Sequence, residues 1–300
     1  MARLAALVFL CLAFVPARPA VADDLGARVA ALTKDFEGTV SVYAKHLGSG
    51  REFAIRADEK VRTASTIKLP ILCALQAQVA RGAVGWRDAI TLREADKIPG
   101  SGVLASLTDG SVFSVRDLAI LMIVVSDNTA TNLLLDRMGG ADIVNDYLDT
   151  LGLTATRSLR KVRGDATPAS GWSRAGRLPE NERYGLGVST PREMVRLLEA
   201  LHAGRVVSPD ASRDVLAIMR KQQVTDGIGR HATYPVASKS GALDALRSDV
   251  GIVTTPSGPI AIAITVDGMP TVDYSPDNAG DKLIWEISRA IVDGLQTGDR

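Results

Sequence analysis

Aromatic residues are scarce in this chain: five Phe, five Tyr and three Trp among 300 residues. That is too few for the stacking platforms that hold single-stranded nucleic acids. Charge of either sign is also without excess. Thirty-five Lys and Arg against 34 Asp and Glu leave a formal net charge of +1, which excludes the basic footprint of a nucleic-acid-binding domain. The three histidines, His46, His202 and His231, are scattered and show no H-x-H-x-D or H-E-x-x-H spacing, so the common hydrolytic metal sites are excluded. No glycine loop has the form of a nucleotide cradle, and there is no internal repeat. Neither a cofactor nor a metal is expected. Of the two cysteines, Cys11 lies near the N-terminus and Cys73 in the apolar run Leu69 to Leu75. Cys73 therefore reads as a small buried hydrophobe.

What is present begins with an export signal. Arg3 supplies a short positive region, Leu4 to Val15 is an unbroken apolar stretch, and Ala20-Val21-Ala22 offers small residues for cleavage before Asp23. Residues 1–22 are thus expected to be a cleaved signal peptide, and the mature protein to be periplasmic or secreted. The apolar run is too short for a membrane span, so no stable membrane anchor is expected. Cys11 follows Leu10, not a small residue, and is not read as a lipid-attachment site. Loss of Arg3 and Arg18 takes the net charge from +1 to −1, and the remaining thiol, Cys73, has no partner for an internal disulfide.

The mature chain, 23–300, reads as one domain in two parts. Leu25, Val29, Leu32 and Phe36 give a helix over 25–36. Gly38 to Ala44 and Glu52 to Arg56 alternate as strands around Gly48-Ser49-Gly50, an antiparallel hairpin. The middle is helical: Ser65 to Ala80, Val115 to Val125 capped by Ser114 with Asp117 in its first turn, Thr129 to Met138, and Ala141 to Leu151. Residues 152–189 lack periodicity, and a loop of that length is usually functional. Thr190-Pro191 opens a further helix with Met194, Leu197, Leu198 and Leu201 on one face. Strands return at Tyr234 to Lys239, Asp249 to Thr254 and Ile260 to Asp267. A final helix carries Ile284, Ile287, Ile291 and Leu295. The expected fold class is α/β in its α+β form: an antiparallel sheet flanked by N- and C-terminal helices, built from about 23–62 and 205–300, with an all-helical part inserted over about 63–204. A site is expected between the two parts.

Three polar segments interrupt this pattern. Ser65-Thr66-Ile67-Lys68 places a serine and a lysine on one helical face. Serine is a poor nucleophile without a base. Lys68 can serve as that base if burial and a neighbouring cation lower its pKa; taken alone, the segment reads equally as an exposed helix start. Ser126-Asp127-Asn128 follows the apolar helix that ends near Val125, where capping is the plain role of such a triplet. Lys239-Ser240-Gly241 ends a predicted strand, where Gly241 allows close backbone approach.

Together, in order, and with gaps of 61 positions (65 to 126) and 113 (126 to 239), these segments match the set S-x-x-K, S-D-N and K-T-G, with serine for threonine. The chain resembles the class A β-lactamases and penicillin-recognising serine hydrolases. Arg62-Thr63-Ala64, Asn128-Thr129-Ala130-Thr131-Asn132-Leu133-Leu134, Gly139-Gly140 and Ser189-Thr190-Pro191 also fit. The resemblance implies Ser65 as nucleophile, Lys68 as base and Ser126 as proton relay to the leaving nitrogen. It implies that Asn128 binds the substrate amide and holds Lys68, that Asp127 braces its turn, and that Lys239 with Ser240 receives a substrate carboxylate. The oxyanion hole falls to the amides of Ser65 and Ala242. Arg247 stands either in the carboxylate pocket or as a solvated strand residue. The implied substrate is a small β-lactam or a peptidoglycan peptide, handled by a monomer.

The resemblance breaks in the long loop. Class A enzymes carry a glutamate there, in an E-x-x-L-N setting, that activates the deacylating water. Here the matching stretch is Leu159-Arg160-Lys161-Val162-Arg163-Gly164-Asp165, with no glutamate. Asp165 is the nearest acid, and Glu180 and Glu182 read as solvated charges. The sequence thus supports acylation more firmly than turnover, and leaves a cell-wall D,D-peptidase or amidase, or a penicillin-binding sensor or sink, as alternatives.

Overall fold

The computed structural model describes residues 20–162 and 171–296. Asp165 and most of the expected signal peptide therefore lie outside the described residues. Helix α1 (Ala20–Thr33) leads into the hairpin β1 (Thr39–His46) and β2 (Glu52–Ile55), followed by the short β3 (Val61–Arg62). The middle of the chain comprises α2 (Lys68–Ala80), the ribbon β4 (Ala89–Thr91) and β5 (Val112–Ser114), α3 (Val115–Val124), α4 (Asn128–Met138) and α5 (Ala141–Thr150). Strands β6 (Arg157–Ser158) and β7 (Gly187–Ser189) join β3 in a small sheet. Helices α6 (Pro191–His202) and α7 (Pro209–Met219) then precede β8 (Val236–Leu243), β9 (Leu246–Thr255), β10 (Gly258–Asp267) and α8 (Ala279–Gln296).

The main sheet is antiparallel, in the order β2-β1-β10-β9-β8, so the two ends of the chain meet at the β1–β10 pair. Its strands are hydrophobic on both faces because both are covered. On β10, Ile260, Ile262, Ile264 and Val266 pack with Leu283, Ile284, Ile287 and Ile291 of α8 and Leu25 and Val29 of α1. The alternate residues Ala261 and Ala263 face the helical part instead, with Leu72, Leu75, Met122, Leu134 and Leu198. Small alanines on that face let helices seat closely, and bulky branched residues fill the other side.

Local signals explain the helix starts. Ser114 accepts from Asp117 N (3.1 Å) and Asp117 answers the Ser114 backbone, a reciprocal cap. Thr190 accepts from Glu193 N (3.1 Å) ahead of Pro191.

The structure departs from the sequence reading in several places. Helix α1 spans 20–33, not 25–36, and Phe36 packs beyond its end. The turn Ala64–Ile67 is 3₁₀, and the α-helix begins only at Lys68. Helix α7 was not anticipated; Ser208 caps it by accepting from Ala211 N (3.1 Å), and it packs into the helical core through Val215, Ile218 and Met219, which carries that part beyond residue 204. Finally, β8 continues to Leu243 because its ladder with β9 persists from Val236↔Val253 to Leu243↔Leu246. Lys239-Ser240-Gly241 therefore sits inside an edge strand, not at its end.

Candidate active site

Three elements converge at the seam between the sheet and the helices. The 3₁₀ turn carries half-buried Ser65, and Lys68 follows one turn later with no exposed surface. Ala64, just before the serine, holds φ at 46°, a left-handed conformation that L-residues adopt at a cost. Ser126 does the same, at φ 57° between α3 and α4. The consequence is visible at Lys68. Its Nζ donates to the Ser126 carbonyl (2.7 Å), the Ser126 hydroxyl (3.2 Å) and Asn128 Oδ1 (2.9 Å). The unusual backbone turns both oxygens of one serine toward one ammonium or amine. Strain of this kind is concentrated at functional sites.

Asp127 braces the turn. Its buried carboxylate accepts from Val103 N (2.7 Å), Leu104 N (2.9 Å) and Ala130 N (2.8 Å), which caps α4 and ties down the loop ahead of it. Asn128 Nδ2 donates to Pro99 O (3.3 Å), fixing which end of the amide faces Lys68.

On the opposite wall, β8 lies against the serine turn. A Cβ on Gly241 would stand 2.9 Å from both Ser65 N and Thr63 O. The missing side chain thus makes room for the backbone that carries Ser65. Ala242 follows on the same edge strand and is exposed, and Ser240 is half-buried. Lys239 has no exposed surface, and its Nζ donates to Ser240 O (2.7 Å).

Burial and like charge govern the two lysines. Lys68 is held well below the ordinary lysine value, first by burial and then by repulsion from Lys239, with Asp127 opposing. Burial lowers Lys239 to about 7, and Asp249 acts against that shift. Lys68 is therefore equipped to be a neutral amine beside a hydroxyl.

Two expected residues need correction or lie beyond view. Arg247 is not a solvated strand residue. It is 3% exposed, and it donates through Nε to Asp281 (2.9 Å) and through Nη1 to Leu243 O and Leu246 O (both 2.7 Å). Nη2 reaches Asp273 O, and the guanidinium stacks on Tyr274. It braces the β8–β9 turn against the segment ahead of α8. Asp165 falls outside the described residues. Glu180 and Glu182 are exposed, as solvated charges are. Cys73 is buried and unpaired with another cysteine, and burial raises its thiol pKa.

Sequence reasoning missed Asn132 and Asp249. Asn132 lies one helical turn after Asn128 and clamps the long loop: its Oδ1 accepts from Val162 N (2.9 Å) and its Nδ2 donates to Val162 O (3.1 Å). The signal available was the i, i+4 pair of asparagines. Among the described residues there is no cluster of His, Cys, Asp and Glu able to hold a metal. No described helix is long and apolar enough to cross a membrane.

Comparison with known proteins places these features in context. The profile of the beta-lactamase enzyme family matches residues 24–295. The chain is 31% identical over 283 residues to the beta-lactamase AST-1 of Nocardia asteroides, covering 92% of this chain and 84% of that one. The crystal structure of a beta-lactamase from Sphaerobacter thermophilus superimposes with a TM-score of 0.78 at 35% identity, over 93% of this chain and 99% of that one. A mutant of PBP-A, solved as an acyl-enzyme complex with penicillin-G, gives a TM-score of 0.75 at 27% identity, over 95% and 100% of the two chains.

Proposed function

The chain belongs to the beta-lactamase enzyme family, and from that premise we propose that this class A β-lactamase-type hydrolase opens cyclic amides through an acyl-enzyme on Ser65. The observation that carries the reading is the setting of Lys68: fully buried, bound to Ser126 and Asn128, repelled by Lys239, and one turn from Ser65. Ser65 Oγ attacks the amide carbonyl carbon and its proton passes to the Lys68 amine. The amides of Ser65 and Ala242 receive the developing oxyanion; such donors contribute on the order of 3 kcal/mol each. As the C–N bond breaks, the proton moves from Lys68 through the Ser126 hydroxyl to the leaving nitrogen. Lys239 and Ser240 receive the substrate carboxylate, and with Arg247 engaged elsewhere Lys239 is the cation assigned to that task.

Hydrolysis of the ester is the slow step in this reading. The stretch that carries the family's glutamate holds Val162, and Asn132 clamps its backbone beside the site. This favours a second reading, in which the same acyl-serine chemistry serves a cell-wall D,D-peptidase or amidase, or a penicillin-binding sensor or sink. The resemblance to PBP-A in acyl-enzyme form supports it.

The test is a chromogenic β-lactam followed by intact mass. The expected trace is a burst equal to the enzyme concentration and then a slow steady phase, because a general base contributes on the order of a hundredfold to ten-thousandfold. Ser65→Ala should form no adduct and remain folded. Fast turnover without a burst would overturn slow deacylation, and labelling of Ser65→Ala would overturn the nucleophile. Should Asp165 be a substitute base, Asp165→Asn keeps the burst and suppresses the slow phase. Export of the chain is part of the proposal, and the same mass spectrum of secreted protein should start at Asp23.

A further inference from the structure

One row of residues crosses the sheet from the site to the far side: Gly241 on β8, Ser248 on β9, Thr265 on β10 and Ser41 on β1. At the first end the Ser65 backbone seats against Gly241. At the other end the same face of the sheet changes character. The cross-strand pair Tyr43 and Ala263 still packs into the helical core, but two positions along stand Ser41 and Thr265, and then Thr39 and Asp267. A cavity of about 440 Å³ opens over this polar end, a volume in the range of small-molecule sites. Its walls are the segment from Lys60 to Arg62, which runs into the serine turn, and the 3₁₀ segment Pro179–Tyr184 of the long loop. None of the residues assigned to the Ser65 site lines it.

The lining is not satisfied by its own neighbours. Ser41 is 2% exposed, yet its hydroxyl has no hydrogen-bond partner among the described residues, and buried polar groups are normally paired. The adjacent Thr265 hydroxyl is already engaged with Ser248 (3.0 Å). Five charged side chains line the cavity, and they leave one positive charge over. Arg62 and Asp267 neutralise each other through two bonds, Nε to Oδ2 at 2.9 Å and Nη2 to Oδ1. Glu59 stands 3.9 Å from Arg56. Lys60 and Arg183, on the two walls, have no acidic partner among the described residues. Arg183 is held by Tyr184, to whose hydroxyl it donates (2.6 Å) and on whose ring it stacks. A further hollow outside shares Lys60 and Arg183 but adds Glu180 and Glu182. Those acids confine the positive field to the cavity mouth and disfavour a polyanion. We propose that this cavity is a second ligand site, separate from the Ser65 cleft, for a small hydroxy- or oxo-monocarboxylate. The carboxylate lies between Lys60 and Arg183, and the second polar group meets the Ser41 hydroxyl. Bonds from cations to a carboxylate are about twice as strong as neutral ones and supply most of the affinity. The inference does not depend on the reaction assigned to Ser65.

The experiment titrates lactate into the protein and follows the backbone amides by NMR. Saturable shifts are expected at Ser41, Arg62 and Tyr184. Lactamide, which lacks the charge, should bind about tenfold more weakly or worse, and so should lactate to a Lys60→Met, Arg183→Met double variant. Propionate, which lacks the hydroxyl, should lose about threefold, as should lactate on Ser41→Ala. Malate, a dianion, should bind no more tightly than lactate. Lys239→Met should bind lactate as the parent does, since Lys239 belongs to the other cleft. Lys60 and Arg183 are exposed, and if the double variant does not fold, Lys60→Met alone and the lactamide comparison decide. The absence of saturable shifts overturns the proposal. So does equal binding of lactate and lactamide, or undiminished binding by a folded Lys60→Met, Arg183→Met variant. Loss of binding in Lys239→Met also overturns it, because the lactate would then sit in the Ser65 cleft.

Discussion

Lys68 shows how burial changes what an ordinary side chain can do. In water a lysine amine carries its proton to about pH 10.4 and offers no lone pair at neutrality. Enclosed here, with Lys239 nearby, its ammonium form is disfavoured. The acid limb of acylation should therefore lie well below the usual lysine range. Lys68→Ala should slow adduct formation at every pH, and Lys68→Arg should not restore it, because a guanidinium keeps its proton. Adduct formation timed by intact mass across pH 5–11 is the measurement, and a limb near 10 would remove Lys68 as the resting base. Ser65, Lys68 and Ser126 were legible in the sequence because motif order and spacing encode them. Arg247 was misplaced for a physical reason. The solvated alternative treats it as a strand residue on an open face, but β9 starts at Leu246, and period-two alternation puts Arg247 and Asp249 together on the face that α8 covers. Asp249 itself gave no warning, since an acid at the expected start of a strand reads as solvated.

Helix α4 works as a ruler between the site and the long loop. Asn128 holds Lys68, and one turn on Asn132 holds Val162 by both backbone groups. Positions four apart on a helix stand about 6 Å from one another, so α4 fixes Val162 relative to the residue that holds Lys68. Val162→Glu should install a carboxylate there and raise the slow steady phase on the order of a hundredfold, with the burst preserved. Steady-state rates after the burst report it, and a folded variant with an unchanged slow phase would show that this loop does not deliver its residue to the ester. Elements with local signals were legible: the β1–β2 hairpin, the caps at Ser114 and Thr190, and the apolar stripe of α8. The loop was not, because its order comes from distant partners. Asn145 brackets Ser158 through both its backbone groups, and Glu193 accepts from Thr156 (2.6 Å) and Ala155 N (2.9 Å). Such bonds leave no periodic trace in the chain.

At the scale of the whole molecule, the sheet separates two apolar cores, and the site lies along the edge strand β8. Lys239 and Asp249, next to one another on β8 and β9 but on opposite faces, place charge inside that packing. The unfolded chain hydrates both groups fully, so their burial opposes folding. The sign can be worked out for each. Asp249, raised to about 7, contributes stability that is present below its unfolded value of 3.8 and lost as pH rises through about 7. Lys239, lowered to about 7, contributes stability that is present above its unfolded value of 10.5 and lost as pH falls through about 7. The two losses meet near neutrality, where the fold is weakest on their account. Replacing the pair, Lys239→Met with Asp249→Asn, keeps the volumes and an acceptor for Ile228 N. It should stabilise the protein by about 1–4 kcal/mol at pH 7 and abolish recognition of the substrate carboxylate. The gain should shrink toward pH 4 and pH 10. Urea denaturation of the parent and the double variant at the three pH values measures it. A gain that does not vary with pH would mean that the pair does not hold buried charge, and a loss at pH 7 would mean that their attraction outweighs the desolvation on which this argument depends.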